Sequence, residues 1–343
     1  MSDIHIRQDG RAGRITLSRP KALNALTYDM VLKIEAALDQ WRADPTIDLL
    51  VIDAEGDKAF CAGGDIQEMY ETGTAGNYDY GRKFWRDEYR MNAKMAEFPK
   101  PVVTFLQGFT MGGGVGVGCH GAHRIVCADS RIAMPEVGIG LIPDVGGSLL
   151  LARAPGRLGE YLGLTADRMD AGDAIHAGFA DHFVPRETWP ALIAALCDTG
   201  DPGAVGRAAH PAPRSRLADW QPQLDACFGG DTLADIHHAM PDPGPEPIAH
   251  AQKLMARNSP LAMACALRII RTVRGADDIR TALEHEYRYT ARSMERGDFL
   301  EGIRAAIIDK DRSPKWRHAS WRAVPEADIV AMEGPVTDAP LQF

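Results

Sequence analysis

Several features are scarce in this 343-residue chain, and each scarcity removes a class of protein. Cysteine occurs six times (Cys61, Cys119, Cys127, Cys197, Cys227, Cys265) without a C-x-x-C pair, and His120 and His123 have no cysteine cluster nearby. Neither a disulfide framework nor a metal site is expected. No window supplies about 18 consecutive apolar residues, so no membrane span is expected. Met1–Gly10 is charged and lacks the apolar core of a signal peptide, which makes a cytoplasmic protein the expectation. Basic residues are outnumbered 38 to 47, for a formal charge of −9, and form no dense stripe, so a nucleic-acid partner is not expected. No Gly-Lys dipeptide and no G-x-S-x-G occurs, which excludes a Walker A loop and a nucleophile elbow. Gly116–Gly121 matches G-x-G-x-x-G formally. It begins inside a glycine run, however, and lacks an acidic strand end about 20 positions later, so a dinucleotide is not expected.

What is present reads as globular: 45% apolar and 25% charged residues, enough chain for one large or two modest domains. Ile4–Ser18 reads as a hairpin around Gly10 and Gly13, ended by Pro20. Thr27 can cap a helix whose Met30, Ile34, Leu38 and Trp41 share a face, and Pro45 stops it. Ile47–Asp53, Pro101–Leu106 and Arg124–Ala128 are apolar runs of strand length, with a helical pattern (Phe84, Trp85, Glu88, Met91, Met95) between the first two. This rhythm predicts an α/β fold of ββα or βαβ units over residues 1–200. Eight of the 22 prolines fall between Pro202 and Pro247, so 201–248 is expected to be a linker or irregular insertion. Residues 249–343 read as a helical module, with Ser259-Pro260 opening one helix, 276–296 forming a long one and Asp298 capping a third.

The chemistry-bearing stretch runs from Lys58 to Gly147. Two glycine-dense turns, Cys61-Ala62-Gly63-Gly64-Asp65 and Met111-Gly112-Gly113-Gly114-Val115-Gly116, each follow a strand-like run and precede a helix-compatible one. Such turns can aim free backbone N–H groups at one developing oxyanion; equally, the glycines serve close packing or positive φ. Asp65, Glu88, Glu136 and Asp144 lie beside them. Glu136 follows Pro135 and Asp144 follows Pro143, both in apolar surroundings that suit general acid, base or nucleophile work, or helix capping.

These residues resemble the crotonase (enoyl-CoA hydratase/isomerase) superfamily: Pro20–Leu26 (PKALNAL), Ala59–Ile66 (AFCAGGDI), the Met111 turn, and Pro135-Glu136 with Ile142-Pro143, over the first ~190 residues. Within it the pattern is most similar to the 3-hydroxyisobutyryl-CoA hydrolase branch, through MPEVGIGLIPDVGG and Asp298–Trp316 (DFLEGIRAAIIDKDRSPKW). The resemblance implies a crotonase-like spiral of ββα units with a C-terminal helical module. It implies an acyl-CoA substrate, a possible homo-oligomer, and no cofactor beyond the CoA carried by the substrate. It further implies an oxyanion hole from the amides of Gly64 and Gly113, a CoA channel lined by Lys21, Ala22 and Ala62 with Asp65 beside them, and a contact from Glu88 to the substrate hydroxyl. Glu136 then attacks the thioester or serves as base, and Asp144 handles water or the departing thiolate.

Two departures within the superfamily bear on the reaction. Hydratases of this type carry a second glutamate three residues beyond the middle glycine of the Met111 turn; here that position is Gly116. They carry glycine after Ile-Pro; here it is Asp144. Gln67 stands where related proteins often place a basic residue near the CoA phosphates. The expected activity is therefore thioester hydrolysis in valine degradation, with an enoyl-CoA hydratase or isomerase and a silent acyl-CoA binder as the alternatives.

Overall fold

A computed structural model describes residues 2–276 and 278–343. Among these residues nine strands occur: β1 (Ile4–Asp9), β2 (Ala12–Leu17), β3 (Leu49–Ala54), β4 (Ala59–Cys61), β5 (Val102–Phe105), β6 (Phe109–Met111), β7 (His123–Val126), β8 (Arg131–Ala133) and β9 (His182–Phe183). One sheet has the order β1-β2-β3-β5-β7-β9, the other β4-β6-β8. The β1–β2 hairpin is antiparallel and every other pair is parallel. From β3 onward successive strands alternate between the sheets, so each turn of the chain lays one strand in each sheet before returning. This is the α/β spiral of ββα units that the sequence predicts.

Strand β3 (LLVIDA) is buried at five of its six positions, as a strand covered on both faces must be. Ala12, Val51, Phe105 and Ile125 pack with Leu192 and Leu196 of the helix Trp189–Thr199. The Phe105 and Trp189 rings meet edge to face at 5.2 Å, and Trp189 Nε1 donates to the Val184 carbonyl at 3.1 Å. The switch from one sheet to the other is made by tight corners. Gln107 Nε2 donates to the Ala54 carbonyl and Phe60 N–H to the Gln107 carbonyl, both at 2.7 Å. Gly108 (φ +54°) passes so close to Lys58 that a Cβ would sit 2.1 Å from its carbonyl oxygen.

The chain divides into two compact units that interleave in sequence: one holds residues up to Asp65, Arg90–Ala133 and Arg168–Arg216, the other Ile66–Tyr89, Met134–Asp167 and Leu217–Phe343. This differs from the expected division at residues 200 and 248. The stretch 201–248 is largely helical, with Gly203–Ala208, Arg216–Cys227, Leu233–Ala239 and the start of Glu246–Met255. Three of its eight prolines sit at helix starts, Pro202 and Pro245 at N-caps and Pro247 just inside, where the missing N–H costs nothing, while Pro222 lies inside Arg216–Cys227. In the second unit the helices Pro260–Thr272 and Ile279–Arg296 follow the sequence reading. Thr27 and Ser259 cap as expected, each accepting from the amide three residues on. Asp298 does not: at φ −101°, ψ 4° it lacks the extended backbone of a cap, and its carboxylate accepts instead from Ser259 Oγ at 2.6 Å and Arg317 N–H at 2.9 Å. No helix of the described residues is long and apolar enough to cross a membrane.

Gly108→Ala combines a left-handed backbone with a collision against main chain that cannot swing away. It is expected to lower unfolding stability by about 2–4 kcal/mol, read as an earlier urea midpoint; an unchanged midpoint contradicts this account of the corner.

Candidate active site

In the first unit the two glycine turns lie against each other. A Cβ on Gly114 would stand 2.3 Å from the Cys61 carbonyl oxygen, and one on Gly63 3.5 Å from that of Met111. Leu26 bridges the first turn by donating to the Gly63 carbonyl at 2.9 Å and accepting from Asp65 N–H at 2.8 Å. Both bonds use the neighbours of Gly64, so its own amide is left out of the bridge. Gly113 opens the helix Gly113–Gly118, where the first amides have no carbonyl one turn back; the earliest bonds run from Val115 and Gly116 to the Gly112 carbonyl. Gly112, at φ 50°, ψ −120°, takes a conformation reserved for glycine and turns the strand into this helix.

Lys21 and Ala22 belong to a short 3₁₀ turn, Pro20–Ala22, that precedes two left-handed residues, Leu23 and Asn24. Lys21 lines a surface pocket with Asn24, Glu55 and Lys58. Ala62 is tied to that turn by its N–H on the Leu23 carbonyl at 3.0 Å, and Asp65 pairs with Arg19 at 3.0 Å. The buried Asn24 side chain locks the arrangement, donating to the carbonyls of Glu55 and Ala59 at 2.9 Å each and accepting from Arg19 N–H at 2.8 Å.

The carboxylates gather in the second unit. Glu88 projects from the helix Asp79–Ala96, Glu136 opens the 3₁₀ turn Glu136–Ile139, and Asp144 follows Pro143 ahead of the helix Gly147–Arg153. Their exposures are 3%, 4% and 5%. Tyr89 donates its hydroxyl to Asp144 Oδ2 at 2.8 Å, with Thr290 Oγ1 3.4 Å away. One oxygen of Glu88 and one of Glu136 are buried without a hydrogen-bond partner. Such groups are costly to leave unpaired, so they mark a place prepared for something else to bind. Neither Glu136 nor Asp144 caps a helix: the cap before Glu136–Ile139 is Pro135 and the cap before Gly147–Arg153 is Gly146.

Burial dominates the electrostatics. It pushes the Asp144 carboxyl up to about 7, against the opposing Tyr89 hydroxyl. Burial first, and then the Asp144 charge, hold Glu136 and Glu88 well above the usual carboxylate range. Adjacent carboxyls so placed titrate as a set, each ionisation opposing the next, so that near neutrality part of the set is ionised while part keeps its proton.

The helix Ile279–Arg296 supplies groups that the sequence reading passed over. Glu286 accepts from the amides of Gly146 and Ser148 at 2.8 and 3.0 Å, Tyr289 donates to the Gly140 carbonyl at 3.0 Å, and Tyr287 meets the Tyr89 ring edge to face. The available signal was polarity on a buried face: Glu286, Thr290 and Ser293 recur at four and three among Leu283, Tyr287 and Met294. The Asp298 segment stands behind Glu136. Ser259 N–H donates to Val137, Gly140 fits against Asp298, and Gly302 passes so close to Ile139 that a Cβ would lie 2.1 Å from its carbonyl.

The sequence pattern of enoyl-CoA hydratases and isomerases matches residues 12–332, nearly the whole chain. The chain belongs to the enoyl-CoA hydratase/isomerase family. Among its relatives is the 3-hydroxyisobutyryl-CoA hydrolase, mitochondrial, of Rattus norvegicus, 37% identical over 96% of this chain and 88% of the relative. That name places the relative in mitochondria and so does not bear out the cytoplasmic expectation. Two crystal structures of this fold superpose with a TM-score of 0.95 and carry other names. One, described as an enoyl-CoA hydratase from Rhodobacter sphaeroides 2.4.1, is 54% identical over all of both chains. The second, described as a carnitinyl-CoA dehydratase from Mycobacterium thermoresistibile, is 40% identical over 100% of this chain and 99% of that one.

A carboxyl whose folded value is raised stabilises the fold fully below its unfolded value and loses that contribution as pH rises through the folded one. For Asp144 the window runs from 3.8 to about 7. The thermal midpoint is expected to fall as pH rises through that window, and Asp144→Asn to flatten the fall and raise the midpoint at its alkaline end. Parallel curves for the two proteins refute the assignment.

Proposed function

We propose that this protein hydrolyses the thioester of 3-hydroxyisobutyryl-CoA to 3-hydroxyisobutyrate and CoA. One observation supports this most: Glu136, buried, carries an oxygen without a partner, one wall away from an Asp144 that Tyr89 holds and that retains a proton near neutrality. The hydrolase names of full-length relatives agree.

The amides of Gly64 and Gly113 polarise the thioester carbonyl, a contribution worth about 10²–10³ in rate per donor. A Glu136 oxygen bonds to the carbonyl carbon, the C–S bond breaks, and the CoA thiolate takes the Asp144 proton. Water then adds to the mixed anhydride, returns a proton to Asp144, and releases Glu136 as carboxylate. Glu136 acting as base to water yields the same products. Glu88 receives the substrate hydroxyl, while Lys21, Ala22, Ala62 and Asp65 lie along the path of the CoA moiety. No cofactor enters this scheme, since CoA is part of the substrate.

The hydratase name of the 54% identical structure favours a second reading, addition of water to an enoyl-CoA. The helix Gly113–Gly118 opposes it: Gly116 leaves no second carboxylate there to grip a water.

Glu136→Gln and Asp144→Asn are each expected to fold and to release CoA thiol from 3-hydroxyisobutyryl-CoA at least ~10²-fold more slowly than the parent. Parental rates in either variant remove the mechanism. Consumption of a conjugated enoyl-CoA, seen as an absorbance change without thiol, selects the hydratase instead.

A further inference from the structure

We infer that Glu286 is a positioning residue for Asp144. Its carboxylate gathers three donors of the turn that follows Asp144, the amides of Gly146 and Ser148 and the Ser148 hydroxyl, and holds in place the backbone from which Asp144 projects. The kinetic part of this inference rests on the hydrolase reading; the structural part does not.

That turn needs an external hold. Val145, a β-branched residue, sits at φ +55°, a left-handed conformation costing on the order of 1–3 kcal/mol that persists only where its surroundings enforce it. Gly146 follows at φ 79° and caps the helix Gly147–Arg153 without any side-chain bond. The donors that a local cap would satisfy are met instead by an acid 138 to 140 residues further along the chain. Glu286 is fully buried, on the helix that also places Thr290 beside the Tyr89 hydroxyl. Asp144 is thus fixed from two sides: Tyr89 grips its carboxylate, and Glu286 grips the main chain just beyond it.

Glu286 also contributes charge. Burial, and then the Asp144 charge, lift its own carboxyl to about 8 against the donors Ser148 and Gly146, and once ionised it raises Glu136 and Tyr89. A neutral replacement therefore makes Glu136 easier to ionise. A group that merely braced a helix end would change stability and nothing else.

The test measures Glu286→Gln, Glu286→Ala and Ser148→Ala in the full chain, by hydrogen exchange over residues 144–150 and by thiol release from 3-hydroxyisobutyryl-CoA. Glu286→Ala is expected to speed exchange of the Gly146 and Ser148 amides and to lower kcat by roughly 10–100-fold with KM within about threefold, since a displacement near 1 Å has that effect on a reacting group. Glu286→Gln keeps one acceptor and should recover part of kcat, with the acid limb of its pH profile moved to lower pH. Should Glu286→Ala fail to fold, Ser148→Ala, which deletes one donor, is expected to show the same signs at smaller size. A lowered thermal midpoint with parental kcat and an unmoved acid limb overturns the inference, as does unchanged exchange. If the parent itself releases no thiol, the hydrolase reading falls while exchange alone still decides whether Glu286 holds the turn.

Discussion

Four carboxyl groups, Glu88, Glu136, Asp144 and Glu286, are held out of water in one compact unit, and the donors beside them are few: a tyrosine hydroxyl, a serine and two peptide amides. Removing an ion from water costs several kcal/mol unless it is paired. The group answers in the way available to it, by keeping protons, so that charge is scarce and each ionisation opposes the next. Chemistry profits from this scarcity. A carboxylate that water barely solvates is a better nucleophile than a surface one, and a neighbour still protonated near neutrality can give its proton to a leaving group. The backbone bears part of the cost, as Val145 shows by holding a conformation that valine avoids.

The surrounding helices are shaped to keep that arrangement rigid. Behind Glu136 the main chain is fastened at successive points: Ser259 N–H on Val137, Tyr289 hydroxyl on Gly140, and Gly302 against Ile139. Asp298 ties the same corner through Ser259 Oγ and Arg317 N–H. The segment DFLEGIRAAIIDKDRSPKW therefore has a mechanical reason for its composition. Gly302 has no room for a side chain, and the acid at 298 is needed as an acceptor rather than as a helix cap.

Legibility in the sequence followed the range of the forces involved. Strands such as β3 could be read because burial on both faces leaves an unbroken apolar run, and the capping threonine and serine because a cap acts within three residues. Glu136 and Asp144 stood out because proline and apolar neighbours surround each and exclude the water that a carboxylate otherwise needs. Glu286, Tyr89 and Asn24 act through partners tens to more than a hundred residues away, and local composition, which can mark a polar residue on a buried face, does not name a partner at that distance. The proline-rich stretch misled for the converse reason: proline marks a boundary, and a boundary at a helix start looks the same locally as one in an open linker.

The relatives' names diverge, hydrolase for some and hydratase or dehydratase for others, while the fold hardly varies. Physical chemistry accounts for this. Backbone amides that grip a carbonyl oxygen stabilise any reaction in which negative charge gathers there, whether an acyl group departs from sulfur or water adds to its double bond. What separates the outcomes is which side chains stand around the acyl group, and single substitutions can change these while the fold stays the same. Glycine at 116 withholds a second acid from the glycine helix, and Asp144 places a proton-retaining one elsewhere. High identity over the whole chain thus speaks to the fold, and the reaction has to be argued from those two positions.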